Sequence, residues 1–303
     1  MKRSNTFLKQ YILITPIKDE EKNLTELIQS VAGQTIKPIF WVIVDDGSTD
    51  RSPEIIEEAQ KKYEWIQSIR LNGGVRDSWL HLADVLKKGF DFCFEYCKNN
   101  GIDFDYVGTV DGDVILEEAY YENLLKKFEE KQRLGIASGR TWILDGNQMI
   151  YMKDYLPGGV KVCRRKCFED CGGIPLSSAW DTVLNTKAKL KGWDVRQFDE
   201  IRQFSVRFGC SAEGLWKGYK EHGKSAYYLG FNFIHAIVKG LKLMVEKPYY
   251  IGIAYLYGYF GSLMLRKRQI DDKEIKYYYR YTRPKEMIRY YFDKMKKFLR
   301  GGF

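Results

Sequence analysis

The chain has 303 residues, enough for one large α/β domain or two ordinary ones, and its composition (45% hydrophobic, 15% aromatic, 29% charged) excludes wholesale disorder, a collagen-like repeat and a disulfide miniprotein. Forty-nine Lys and Arg against 40 Asp and Glu give a formal charge of +9, which favours an anionic partner such as nucleic acid, a membrane surface or a phosphorylated substrate. Residues 201–303 hold 21 of the basic and 8 of the acidic residues, a local +13 that leaves −4 for the first 200, and 14 of the 22 tyrosines, so a boundary is expected near 200–215.

In chain order, Tyr11 to Ile14 is a short apolar run stopped at Pro16 and predicts a strand. Leu24, Leu27, Ile28 and Val31, at helical spacing, predict a helix ending near Gly33. Ile39 to Val44 is apolar throughout, as expected of a strand covered on both faces in a parallel sheet. Asp45-Asp46-Gly47-Ser48-Thr49-Asp50 then turns the chain into a helix reaching about Tyr63. Ile66 to Leu71 predicts a third strand, followed by a Gly73-Gly74 turn and a long helix to about Cys97; Tyr106 to Val110 predicts a fourth that ends at Asp111-Gly112-Asp113. This alternation predicts an α/β, doubly wound sheet with right-handed crossovers. Ligands of such a sheet bind at the carboxyl ends of the strands, where the acidic clusters Asp19-Glu20-Glu21, Asp45-Asp46 and Asp111/Asp113 stand.

The N-terminus lacks the pattern of a signal peptide, which predicts a cytoplasmic protein. The cysteines Cys93, Cys97, Cys163, Cys167, Cys171 and Cys210 include no C-x-x-C pair and read as buried small hydrophobes, with a strand-to-helix crossing through Cys163, Cys167 and Cys171. His81, His222 and His235 have no paired spacing, which disfavours a histidine metal site or a Ser-His-Asp triad.

Asp111-Gly112-Asp113 is the sharpest chemical signal. Carboxylates at i and i+2 leaving a strand can share a side, the glycine admits a ligand close to the backbone, and hard oxygen ligands suit Mg2+ or Mn2+. The bland alternative is a solvated turn that caps the next helix. Asp45 and Asp46 cap and turn equally well, or accept hydrogen bonds from a base imide or ribose hydroxyls. Three acidic strand ends in one crevice repel one another unless a cation or a donor-rich ligand sits there.

Pro16-Ile17-Lys18-Asp19-Glu20-Glu21-Lys22-Asn23-Leu24, Gln34-Thr35, Pro38, Val42 to Asp50 and Asp111-Gly112-Asp113-Val114 are followed by Gly158-Gly159, Arg164 to Glu169, Gly172-Gly173, Trp180-Asp181 and Gly192-Trp193. Taken together and in this order, they resemble the motifs of family 2 glycosyltransferases over roughly residues 10–210. The resemblance implies the GT-A fold, a mixed, mostly parallel sheet flanked by helices, in a catalytic domain over 1–210. Its nucleotide-sugar half would run to about 115 and its acceptor half over 116–210, with a helical, basic, tyrosine-rich extension over 211–303.

It further implies that Pro16, Glu20, Asp45, Asp46, Asp111, Gly112 and Arg207 bind the nucleotide sugar. Asp111 and Asp113 would position a divalent cation, Trp180 and Arg165 would stand on the acceptor side, and Asp181 would be the general base of an inverting transfer. Asp19 replaces the family's usual Asn, Trp180 its usual acidic residue before the base, and Ser205-Val206-Arg207 the His that often precedes the last Arg.

The runs Ser225 to Val238 and Pro248 to Leu265 contain no charged residue, and the second is followed by Arg266-Lys267-Arg268. Its 18 residues just reach bilayer-spanning length, but three glycines, five tyrosines and the basic flank predict contact in the membrane interface, with a spanning segment or an oligomer surface as alternatives. Lys276 to Arg283 with its tyrosines could stack nucleic-acid bases; the acidic crevice and the absence of RRM, KH or zinc-finger signatures argue against that partner.

The expected protein is therefore a metal-dependent sugar transferase peripheral to the cytoplasmic face of the membrane. It would use a nucleoside-diphosphate sugar and act on a glycan or lipid-linked acceptor. The alternatives are a polyprenyl-phosphate sugar synthase like dolichol-phosphate mannose synthase, a sugar-1-phosphate nucleotidyltransferase and a non-catalytic sugar-nucleotide binder.

Overall fold

A computed structural model describes residues 9–73, 79–145, 148–151, 159–206, 214–245 and 247–299. The chain divides after residue 208 into two compact units.

The first unit contains β1 (Tyr11–Ile17), α1 (Leu24–Ala32), β2 (Phe40–Asp45), α2 (Ser52–Lys62), β3 (Ile66–Arg70), α3 (Trp79–Asn99), β4 (Tyr106–Thr109) and β5 (Val114–Leu116). It continues through α4 (Tyr120–Glu130), β6 (Leu134–Asp145), β7 (Gln148–Tyr151), β8 (Lys161–Arg164), α5 (Arg165–Asp170), α6 (Trp180–Leu190) and β9 (Asp194–Ser205). Among the described residues these strands form one mixed sheet in the order β3-β2-β1-β4-β8-β6-β9-β5, with β7 paired to β6. The pairs β1–β2, β2–β3, β1–β4 and β6–β9 are parallel, whereas β8 runs antiparallel to both β4 and β6.

The apolar runs behave as their composition requires. Every residue of β2 is buried, and its alternate side chains feed two cores. Trp41 and Ile43 join Leu13, Tyr106 and the inward faces of α1, α2 and α4; Val42 and Val44 join Ile12, Ile14, Val107 and α3, α5 and α6 on the other face. Cys163, Cys167 and Cys171 follow the expected strand-to-helix crossing, at β8, α5 and the end of α5. The five described cysteines are free and buried, and Cys210 lies outside the described residues.

Because β1, β2 and β4 are parallel, their carboxyl ends emerge on one edge, and the strand order reverses between β1 and β4. That reversal opens the crevice described below.

The second unit is helical: α7 (Leu215–Tyr228), α8 (Phe233–Met244), α9 (Tyr250–Met264), α10 (Lys273–Tyr277), a π-helical turn at Tyr278–Thr282 and α11 (Arg283–Leu299). Ala226, Tyr227, Ala236, Leu243, Ile251, Tyr255 and Tyr259 form its core. Asn232 caps α8 by accepting the His235 N–H at 2.8 Å.

Candidate active site

Asp45 closes β2, buried, with Oδ1 accepting the Ser48 N–H at 2.8 Å and Oδ2 3.1 Å from the Arg70 guanidinium. Asp46, one residue on, is also buried. His81 Nε2 lies 2.8 Å from its Oδ2, and Lys18 Nζ donates to its carbonyl oxygen at 3.2 Å. Among the described residues the buried Asp46 Oδ1 has no hydrogen-bond partner, an acceptor left over at this strand end. Asp46, Arg70, Leu71, Asn72, Gly73, His81 and Lys88 line a cavity of about 250 Å³ at this strand end. Gly47 (φ 69°) and Gly73 (φ 76°) form its backbone wall; a Cβ on Gly47 would lie 2.8 Å from the Gly73 nitrogen.

The β1 end is laced to the same loop. Asp19 takes a left-handed conformation (φ 54°), its N–H donating to Ser48 Oγ at 2.9 Å and its Oδ1 accepting the Thr49 N–H at 2.8 Å. Asp and Asn tolerate that region best, so the Asp in place of the family's usual Asn keeps the turn. The Glu20 N–H donates to Ser52 Oγ at 2.9 Å, and its buried carboxylate accepts from Asn23 Nδ2 at 2.9 Å. Pro16 sits within β1, half-buried, in register with Val44 of β2.

Past β4, Gly112 packs against this loop: a Cβ there would stand 3.0 Å from Ile17 and 3.1 Å from Glu20. Asp111 and Asp113 flank it, half-buried, and the Asp113 carbonyl accepts the Val206 N–H at 3.1 Å after β9. Burial pushes the Asp111 carboxyl up to about 7, and the carboxylates of Asp113, Glu20 and Asp181 push the same way, against the Lys161 ammonium.

Asp181 occupies the first turn of α6, where the helix dipole favours a negative charge. The N-cap is Ala179, which has no capping side chain, and among the described residues the Asp181 carboxylate accepts a long hydrogen bond, 3.4 Å, from the Thr182 hydroxyl. Its charge is therefore not consumed in closing the helix.

Lys161 is the unexpected member. It lies opposite Thr109 on the antiparallel strand β8, only 1% exposed, with Nζ 4.9 Å from the Trp180 ring centroid and 3.4 Å from Asn185 Oδ1. Burial drives the ammonium pKa down, against the pull of Asp181, Cys163 and Asp111.

The structure places two further expected residues as follows. Arg165, expected on the acceptor side, stands at the amino end of β4: its N–H donates to the Asp105 carbonyl at 2.8 Å and its guanidinium reaches Asp103 and Glu169, each at 2.9 Å. Four residues of β8 and its continuation, about 13 Å at strand rise, separate it from Lys161, so it holds the loop before β4 and does not reach the crevice. Trp180 is 5% exposed and packs in the core, with its ring against the Lys161 ammonium. Arg207 and Gly158 lie outside the described residues.

A wider depression of about 400 Å³, lined by Arg133, Lys189, Trp193 and Arg196 among others, opens at the amino ends of β6 and β9, away from the carboxylates.

The pattern of the family described as Glycosyl transferase family 2 matches residues 12–173. The chain is 30% identical over 124 residues to an uncharacterized glycosyltransferase of Bacillus subtilis (strain 168), EpsJ, covering 40% of this chain and 30% of that protein. It is also 30% identical over 146 residues to the minor teichoic acid biosynthesis protein GgaB of the same organism, covering 46% of this chain and 14% of GgaB. The match thus spans less than a third of either relative. Mannosyltransferase PcManGT from Pyrobaculum calidifontis, solved in complex with GDP-Man and Mn2+, aligns with a TM-score of 0.55 at 14% identity, over 84% of this chain and 70% of that one, which is a similarity of fold.

Proposed function

Because the chain belongs to glycosyl transferase family 2, we propose that it moves a sugar from a nucleoside-diphosphate donor to a hydroxyl of a glycan or lipid-linked acceptor, inverting the anomeric centre. In this reading it works at the cytoplasmic face of the membrane as a peripheral protein. The observation that carries the reading is the meeting of Asp113, Glu20 and Asp181 around Asp111, since these three carboxylates oppose its ionisation until positive charge or a donor ligand arrives. The biosynthetic role of GgaB supports a cell-surface polymer as the product class.

Among the described residues no three His, Cys, Asp or Glu side chains form a ready cage for an ion. The donor set therefore fits a hard cation that takes one or two carboxylates and fills its shell with water and phosphate oxygens, as Mg2+ and Mn2+ do. Asp113 and Asp111 would hold it, and when bound it neutralises charge on the departing diphosphate.

The chain's own residues do the rest. Asp46 presents its open Oδ1 to an N–H of the base while His81 and Lys18 hold the carboxylate from behind. Arg70, reaching Asp45 and the Ser48 carbonyl, keeps the loop closed around the nucleoside. Asp181 accepts the proton of the acceptor hydroxyl as its oxygen attacks the anomeric carbon; the sugar–phosphate bond breaks, and the electron pair leaves with the diphosphate.

A panel of nucleotide sugars with and without Mn2+, read for binding, hydrolysis and transfer, identifies the donor. Asp181→Asn is expected to lower transfer by about 10²–10⁴-fold while donor binding persists. Undiminished transfer to a hydroxyl acceptor would remove Asp181 from the role.

A further inference from the structure

Helix α8 is built inside out. Its large apolar residues Phe233, Ile234, Val238 and Leu241 face outward and are each more than half exposed, whereas the face that packs inward carries His235, Ala236, Gly240 and Leu243. At 100° per residue those four, with Ile237, fall on one stripe of the helix. Helix α9 continues the pattern with Ile253 and Tyr257 exposed along it and Met264 (84%) and Leu265 (72%) at its end. A water-facing helix surface is ordinarily polar, and a contiguous apolar face of this kind marks a surface covered by something else.

The charge around this face says what covers it. From His222 to Ile270 the sequence has seven Lys or Arg and one acidic residue, Glu246, which lies outside the described residues. Lys242, Lys247, Arg266 and Lys267 border the apolar face, exposed, and none has an acidic ion-pair partner among the described residues. The helices also pack as membrane helices do: a Cβ on Gly252 would collide with the Gly240 carbonyl, and one on Gly258 with the Lys220 carbonyl, so their backbones touch where side chains would separate them. Among the described residues no helix is long and apolar enough to cross a membrane. With 12 and 15 residues, α8 and α9 are about 18 and 22 Å long, short of a hydrocarbon core of about 30 Å.

We infer that the outward faces of α8 and α9 are a docking surface for an anionic lipid bilayer, lying in its interface with Phe233, Ile234, Val238 and Leu241 among the acyl chains and Lys242, Lys247, Arg266 and Lys267 at the headgroups. This deepens the proposed peripheral membrane placement and is independent of which donor the crevice takes.

The test is flotation of the full chain with phosphatidylcholine vesicles, with and without phosphatidylglycerol, at low and high salt. Binding is expected to the anionic vesicles, weakening with salt. Arg266→Glu/Lys267→Glu should lower partitioning on the order of tenfold or more, at roughly fivefold per basic residue removed from the surface. Phe233→Asp/Leu241→Asp should abolish it, with the circular dichroism spectrum and donor hydrolysis in solution retained. The surface assignment is overturned if the wild type stays with the protein fraction on anionic vesicles, or if either double variant floats as the wild type does. It is equally overturned if the apolar variant only converts a stable dimer to a monomer, which would make a second copy the occupant. Hydrolysis by a protein that does not float rejects the membrane surface alone, and flotation without hydrolysis of any donor rejects the transferase reading alone.

Discussion

Gly159 lies directly under the Asp111 carboxyl group: a Cβ at 159 would overlap Oδ2 and the carboxyl carbon and come within 2.8 Å of Oδ1. No side chain fits there while Asp111 keeps its position. Gly159→Ala is expected to lower transfer at least 100-fold by displacing Asp111, with little change in melting temperature because residue 159 precedes β8 and carries no core side chain. A variant with wild-type kcat/KM would show that Asp111 is free to move without loss.

His81 fixes the Asp46 carboxylate at 2.8 Å and leaves the opposite oxygen open. A hydrogen bond to a charged group contributes about 1.5–3 kcal/mol, so His81→Ala should weaken nucleoside-diphosphate binding about tenfold or more by calorimetry. Asp46→Asn should weaken it further, since an amide accepts on one side only; equal affinities for wild type and His81→Ala would assign the histidine to the α3 fold alone.

Lys161 opposes the upward push on Asp111. The folded value of about 7 stands above the ordinary carboxylate value of about 3.9, so between these pH values the native protein binds more protons than the unfolded chain, and stability of the metal-free protein falls as pH rises through that window. Lys161→Met should move the Asp111 titration, followed by the pH dependence of Mn2+ binding, to higher pH. Its melting temperature should hold, because removing a buried ammonium with one long hydrogen bond also removes its desolvation cost. An unmoved titration would separate Lys161 from Asp111.

In the helical unit, burial pushes the His235 imidazole down to about 4, and the nearby Lys239 and Arg283 add to the effect. Its Nδ1 is buried without a partner. Unfolded, the ring titrates near 6.5, so below that pH the unfolded state takes up the proton and stability declines by on the order of 3 kcal/mol as pH falls toward 4. Hydrogen exchange of α8 amides should show this acid slope, and His235→Gln should make it shallower, the remainder coming from His222, whose imidazole burial pushes down to about 3; identical slopes would place the acid sensitivity elsewhere.

Much of the first unit was legible before its coordinates. The apolar runs that became β1, β2 and β4, the helical spacing of Leu24, Leu27, Ile28 and Val31, and the acidic residues at three strand ends are local patterns, and local periodicity reports burial directly. Asp45, Asp46, Glu20 and Asp111 stand out for the same reason, whereas Asp181 stands out only through the order of motifs around it. His81 and Lys161 carried no signal. A histidine without paired spacing and a single lysine in an apolar stretch join the candidate site only through partners 35 residues away, in the case of Asp46, or reached across β4 and β8. Motif order likewise put Arg165 beside the acceptor.

The sequence by itself determined the elements, the acid-rich strand ends, the family resemblance and the partition of charge between an acidic first part and a basic, tyrosine-rich second. Only the tertiary structure decided which charges meet. The antiparallel course of β8 brings Lys161 beside Asp111 and carries Arg165 to the far end of β4, because reversing a strand exchanges the ends at which its residues emerge. It also turned the stripe of Phe233, Ile234, Val238 and Leu241 outward from α8, whose inward side meets α9 in a close Gly240–Gly252 contact and buries Leu243.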